Sequence, residues 1–356
     1  MDVPILVDPQ TLWRLAVRHR VGIPVLAGLA KAVRPHDPDA ADRLAMRATR
    51  RGMAALQKAE RLATISAALS AAGIAHLAIK GPALAQRLHG DVAARDSKDL
   101  DLLVDPAAIE AVTPLLSRLG FEPAEDMSAE RRPLEKDRPF VGDGIELEVH
   151  TRLLDVEALL PLPFDALWHR RSTIAIGAVA VPTLSDVDTL LYLCGHGSAH
   201  LWFRLKWLED IARIFSNWNA ATIEEARARA RDAGAGAILA GAMDLVERVF
   251  GIVPAGVVRI ASTRASRALV SLSLAALAAP AEHASSPSLG WILRRLPVQF
   301  GLATGWRYRS AFLRMLALAP HDFDATGLPK GFGWMRLPLR PVMLLRHRWT
   351  QSTLRR

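Results

Sequence analysis

AIKGPALAQRLHGDVAARDSKDLDLLV, residues 78–104, is the stretch on which the reading of this chain turns. The apolar run over residues 75–79 predicts a short strand ending at Lys80. Gly81-Pro82 then opens a helix through about Leu88, with proline in the first turn, where its missing N–H is no loss. Residues 98–104 predict a second strand. Side chains alternate along a strand, so Asp99 and Asp101 share one face while Leu100 and Leu102 take the other. Two carboxylates held that close repel, and burying them uncompensated is costly. A hard divalent cation relieves the repulsion; Mg²⁺ binds through one or two carboxylates plus substrate phosphates.

The flanks complement the pair. Lys80 beside a helix start suits phosphate, through the free N–H groups, the positive end of the helix dipole and a point charge. Residues 139–151 predict one strand, with Glu146, Glu148 and His150 alternating against Ile145, Leu147 and Val149. Glu148, with Glu146 as the alternative, would supply a third carboxylate, and three on one sheet face suit two-metal phosphoryl or nucleotidyl transfer. Asp-x-Asp by itself is usually a solvated turn or strand edge, and Lys-Gly-Pro by itself says less; the combination carries the reading. Of 45 basic residues only seven are lysines, and Lys80, Lys98 and Lys206 fall in or beside these motifs. Arg95 could pair with a phosphate or with the carboxylates.

Outward from this centre, residues 10–33 and 40–72 predict helices, and residues 172–183 one more β element. From Ser185 onward the pattern is helical, over 186–200, 205–217, 221–233 and 237–250. The expected organisation is an N-terminal helical segment (1–73), an α/β centre (74–184), a helical domain completing the pocket (185–280) and a basic helical and loop region (281–356). At 356 residues and 51% hydrophobic content the chain is globular. A single cysteine, Cys194, excludes an intrachain disulfide or a cysteine-built zinc site. The N-terminus lacks a signal-peptide pattern, and the longest uncharged apolar run, 268–279, is too short to span a bilayer, so a cytoplasmic protein is expected. The net charge of +9 equals that of residues 281–356 alone, and residues 1–280 sum to zero. The arginine-rich tail over 331–356 is either a solvated basic face or a contact for an anionic surface, nucleic acid or acidic protein.

Lys80-Gly81 before a helix, Arg95, Asp99-Leu100-Asp101-Leu102-Leu103-Val104 and Glu148-Val149-His150 together resemble the nucleotidyltransferase superfamily of the DNA polymerase β type. They are most similar to its bacterial branch described only as uncharacterised nucleotidyltransferases, which carries Lys-Gly where other members carry Gly-Ser or Gly-Gly. The resemblance spans roughly residues 10–220. It implies an α/β (α+β) fold with a polymerase β-like mixed sheet flanked by helices. It implies Mg²⁺ or Mn²⁺ on Asp99, Asp101 and Glu148, and the phosphates of an NTP such as ATP at Lys80 and Gly81. It implies transfer of an NMP to a hydroxyl acceptor: a small molecule, a tRNA end, a peptide or a saccharide. Pro82 departs from the family pattern, standing where a hydroxyl and an N–H would contact phosphate.

The block HGSAHLWFRLKWLEDIARI, residues 196–214, also fits the resemblance, which places His196, His200, Lys206 and Asp210 along the nucleotide or acceptor pocket. His196 and His200 share a helix face, as a zinc pair would, but a metalloprotease would need His-Glu-x-x-His. A hydrogen-bonded histidine pair without a ligand is the simpler reading. Trp202 and Trp207 are core residues or base-stacking platforms, and His150 is a proton-transfer aid or a structural hydrogen-bonder. No nucleophile elbow, P-loop or Gly-x-Gly-x-x-Gly occurs. Two rivals stay open: a toxin-like transferase acting on tRNA, and an inactive scaffold that keeps the fold to hold a partner.

Overall fold

The computed structural model of the chain describes residues 8–95, 97–124, 136–258, 260–279 and 289–317. The N-terminal helices begin where side chains or prolines suit a first turn. In α1 (Pro9–His19) the Asp8 side chain accepts from the Thr11 N–H, and the helix stops at Arg20, which is left-handed. α2 (Ile23–Val33) follows Gly22, so the one helix expected over 10–33 is two. Pro24 explains the break, since it has no N–H to bond back to Arg20 and its ring would clash with that carbonyl. α3 (Pro38–Ala71) runs 34 residues from an Asp37 cap and ends just before Gly73, which sits at φ 69°.

Seven strands form one mixed sheet in the order β3-β4-β5-β2-β1-β7-β6. They are β1 (His76–Ala78), β2 (Asp99–Val104), β3 (Glu122–Pro123), β4 (Asp137–Gly142), β5 (Ile145–His150), β6 (Ser172–Ile176) and β7 (Val179–Thr183). β1 is antiparallel to β2 and parallel to β7; β2 is parallel to β5. α4 (Gly81–His89) links β1 to β2, and α5 (Ile109–Arg118) follows β2.

The strand expected over 139–151 is a hairpin, with β4 antiparallel to β5. Asp143 and Gly144 join them at φ 51° and 71°, the positive values that a type I′ turn demands of an Asp-Gly pair. Alternation alone runs straight through such a turn, because its period survives on both sides. The β element expected over 172–183 is likewise a hairpin, β6–β7.

One sheet face is a closed core. Leu100, Leu102 and Val104 of β2 and Leu147 and Val149 of β5 pack against Leu62, Ile65 and Leu69 of α3 and Val112 and Leu116 of α5. On the other face Leu77, Ile79 and Leu103 join the core of the helical half. That half comprises α6 (Phe164–His169), α7 (Asp186–Ala199), α8 (Leu205–Asn217), α9 (Ala220–Asp232), α10 (Gly236–Phe250) and α11 (Arg264–Ala278). Residues 289–317 add α12 (Leu289–Phe300) and α13 (Trp306–Ala317). The fold is thus α/β, a mixed sheet with helical segments on either side, consistent with a nucleotidyltransferase core. No helix among the described residues is long and apolar enough to cross a membrane. Cys194 is buried. The basic tail over 331–356 lies outside the described residues.

The α7–α8 connection is strained. Leu201 and Trp202 both adopt left-handed backbone, at φ 53° and 48°, uncommon for bulky residues. Trp202 is fully buried, and a Cβ on Gly197 would lie 2.4 Å from its ring. Trp202 is therefore core, and the indole must lie flat on the bare glycine. We expect Gly197→Ala to destabilise the fold by about 1–3 kcal/mol through overpacking. A urea midpoint equal to that of the parent would contradict this account of the turn.

Candidate active site

The register of the parallel β2–β5 pair builds the centre. Asp99 lies opposite Glu146, Asp101 opposite Glu148, and Leu103 opposite His150. Paired residues of neighbouring strands project to the same face, so the acids and the histidine converge on the side turned toward the helical half. Asp101 and His150 are buried, whereas Asp99 and Glu148 are partly exposed. Asp101 Oδ1 lies 3.1 Å from His150 Nε2 and 3.6 Å from Lys80 Nζ. His150 Nε2 is also 3.4 Å from Glu148 Oε2, and its Nδ1 is 3.6 Å from Asp137 Oδ2. Asp137 is in turn paired with Lys136.

The electrostatics follow from this packing. Burial alone would raise the Asp101 carboxyl, but Lys80 and then His150 outweigh it and hold the group well below the usual carboxylate range. Asp99 is shifted up, by burial and then by repulsion from Asp101 and Glu148. Burial opposes the charge on Lys80, yet Asp101 keeps it protonated far into the alkaline range. His150 is raised against its burial by hydrogen bonds to Asp101 and Glu148. The Lys80 ammonium also sits 5.1 Å from the ring centroid of Tyr192 on α7, whose phenol burial pushes up to about 12.

The other expected residues fall in distinct places. Gly81, at φ 62°, starts α4 directly behind Lys80, a conformation that glycine adopts without strain. Glu146 is paired with Lys98 at the exposed end of the strands, away from His150. Arg95 and Asp210 face each other in a buried two-point pair, at 2.7 and 2.9 Å, which fastens the approach to β2 onto α8. His196 meets Trp207 edge to face and His200 lies tilted against it, with the two imidazole centroids 4.7 Å apart. They also line a cavity of about 120 Å³ with Lys136 and Arg295. Burial and then Lys80 keep both imidazoles neutral, His196 far below its usual value and His200 at about 3. Lys206 is buried on a separate basic groove that it shares with Lys98 and Arg204.

Lys136, Asp137 and Tyr192 escaped the sequence reading. Lys136 had a usable signal, being another of the seven lysines. Asp137 and Tyr192 had none, since strand pairing and helix packing alone bring them here.

Among the described residues, one group of acids and imidazoles could hold a metal ion. Asp101, Glu148 and His150 each present a ligand atom, all within 4.8 Å of one another. His150 Nδ1 is buried without a hydrogen bond. Two carboxylates and an imidazole make a donor set that fits a divalent cation, and Asp99, raised by burial and then by repulsion from Asp101 and Glu148, stands beside it. A mixed sheet carrying registered carboxylates, beside a lysine and a helix start, is the arrangement of a nucleotidyltransferase core. The family model for uncharacterised nucleotidyltransferases matches residues 6–251, and the chain belongs to that family. No curated protein matches it.

Two outcomes follow from the buried charges. Asp210→Ala leaves the Arg95 guanidinium buried and unpaired, and should cost about 3–5 kcal/mol in denaturant unfolding. Arg95→Met/Asp210→Leu together should recover most of that loss, and a cycle with no coupling would remove the brace from the account. The second outcome concerns pH. His196 and His200 stay neutral in the fold while the unfolded chain takes up protons below about 6.5. Stability should therefore fall as pH drops from about 6.5 toward 4.5, a window above the ordinary carboxylate range. His200→Asn should flatten that slope in melting curves; an identical slope would contradict the neutral-histidine assignment.

Proposed function

We propose that the chain transfers a nucleotidyl group from an NTP to a hydroxyl acceptor, on the face formed by Asp99, Asp101 and Glu148. The observation that carries this reading is the β2–β5 register, which sets acidic side chains on one face within reach of Lys80 and the start of α4. It is supported by the family membership and by the resemblance to the Lys-Gly branch of the polymerase β-type superfamily. In this reading Asp99, Asp101 and Glu148 hold Mg²⁺ or Mn²⁺, which when bound neutralises triphosphate charge and polarises the phosphoryl group under attack.

The chain's own groups do the rest. Lys80 and the free N–H groups of the first turn of α4 hold the phosphates that leave. Glu148, the more accessible acid beside His150, takes the proton of the acceptor hydroxyl. The acceptor oxygen bonds to the α-phosphorus, the bridging α–β P–O bond breaks, and pyrophosphate departs with the electron pair. His150 positions the acids through its contacts with Asp101 and Glu148, and keeps them from rotating away. Arg95 and Asp210 act as a brace rather than as nucleotide ligands, since each satisfies the other's charge. His196, His200 and Trp207 form the wall of the nucleotide or acceptor pocket. The catalytic part is residues 74–184, and the helical residues 185–280 complete the pocket.

The test is a thermal-shift series with ATP, GTP, CTP and UTP, each with and without Mg²⁺ or Mn²⁺. A nucleotide present at about 100 times its Kd stabilises the native state by about 2.7 kcal/mol. We expect a metal-dependent rise in Tm with at least one nucleotide, abolished in Asp99→Asn/Asp101→Asn. No rise with any of the four would favour the inactive scaffold.

A further inference from the structure

A groove of about 850 Å³ lies between α1, α3, the Ser97-Lys98 approach to β2 and the start of α8. Ten of the fifteen residues lining it are arginine or lysine, and none of the described lining residues is acidic. The long wall is one face of α3, where Arg43, Arg47, Arg50 and Lys58 recur at helical spacing. From Arg43 to Lys58 that stripe rises ~22 Å at ~1.5 Å per residue. Arg43 and Arg50 are exposed along it. Trp13 of α1 also lines the groove, its ring centroid 5.5 Å from the Arg47 guanidinium.

The groove borders the edge of the carboxylate face: Lys98, in its lining, pairs with Glu146, and Arg204, also in its lining, lies near enough to Asp99 to be held up by its charge. Arg204 shows how strongly the cations crowd. Burial and then Arg20 and Arg18 push its guanidinium down to about 10, and Asp99 acts in the opposite direction.

We propose that this groove holds a single strand of nucleic acid and leads its terminal hydroxyl to the carboxylate face. The hydroxyl's role as acceptor rests on the nucleotidyl-transfer reading; the binding of the strand does not. Three features choose this occupant. Arg43 and Arg50 stand exposed on a stripe that runs ~22 Å, far longer than the phosphate chain that carries the ~4 negative charges of a nucleoside triphosphate, so the donor alone does not explain them. A strand carries one phosphate per nucleotide, ~3.4 Å apart when stacked, so the α3 stripe spans about six of them. Arginine matches phosphate in a two-point fork, and an aromatic ring in a basic groove gives bases a stacking surface. A concave wall suits a chain better than a flat bilayer, and an acidic peptide offers no bases to Trp13. The transfer then balances as described above: the strand's hydroxyl oxygen bonds to the α-phosphorus, its proton passes to Glu148, and pyrophosphate leaves.

The experiment is fluorescence anisotropy of a short 5′-labelled single-stranded RNA, and of the same sequence as DNA, on the full chain in EDTA without nucleotide. We expect binding whose log Kd against log[salt] has a slope of magnitude about 3 or more, as four or more phosphate contacts give at ~0.7 each. Arg43→Ala/Arg50→Ala should reduce that slope by about 1.4 and weaken binding at least about tenfold at moderate salt. Arg43→Lys/Arg50→Lys should keep most of the slope. The alanine variant should retain the parent's metal-dependent nucleotide shift, which shows that it folds and keeps the two readings separable. The proposal is overturned if neither strand binds, or if the alanine variant binds as the parent does. It is equally overturned if poly-glutamate or phosphatidylserine vesicles of matched charge displace the strand as well as unlabelled strand does.

Discussion

Asp101 is a carboxylate placed inside a sheet, where an unpaired charge costs several kcal/mol. It is tolerated because Lys80 from the end of β1 and His150 from β5 converge on the same oxygen. That requirement constrains the surrounding structure. β1 must end beside β2 so that the lysine reaches across, and the chain must turn away at once. The positive φ of Gly81 and the proline after it accomplish that turn. β5 must run parallel to β2 in one register, because a one-residue slip would send His150 and Glu148 into the apolar layer on the far face. The hairpin at Asp143-Gly144 holds that register from the other side.

The helical half does more than cover the sheet. α7 brings Tyr192 and His196 against the lysine side of the centre, and α8 returns Asp210 to lock Arg95. The tight turn between these helices, with Trp202 flat on Gly197, sets how closely they approach. Position therefore separates two kinds of charged group. Arg95–Asp210 is neutralised internally and braces the structure, whereas burial, and then repulsion from Asp101 and Glu148, raises the Asp99 carboxyl. On the opposite side of Lys98 the sign reverses, and cations gather along one face of α3, with no acid among the described residues that line the groove.

Much of the carboxylate site was legible because its signals are local. Alternation over Asp99 to Val104, the lysine-glycine-proline turn and the Glu148-Val149-His150 triplet lie within short windows. Asp-Gly at 143–144 is an equally local signal, but the period-2 pattern that continues past it hid the hairpin, and one strand was expected. Arg95 read as a partner for a phosphate or for the strand carboxylates, because Asp210 lies 115 residues away, beyond any local pattern. The groove was hidden differently. Its arginines look like the solvated face of a long helix, and residues 1–280 sum to zero charge, so a cationic concavity left no trace in the totals.

The sequence by itself determined the elements and their faces: which strand residues turn inward, where caps and prolines start helices, and that two aspartates share a side. Each of these depends on backbone geometry over a few residues. Only the tertiary structure decided which charges meet. The pairing of Asp101 with Lys80, of Glu148 with His150 and of Arg95 with Asp210, and the gathering of α1, α3 and α8 cations into one groove, depend on strand register and helix packing. Those are set by the burial of apolar surface across the whole chain, and that is a property no short window contains.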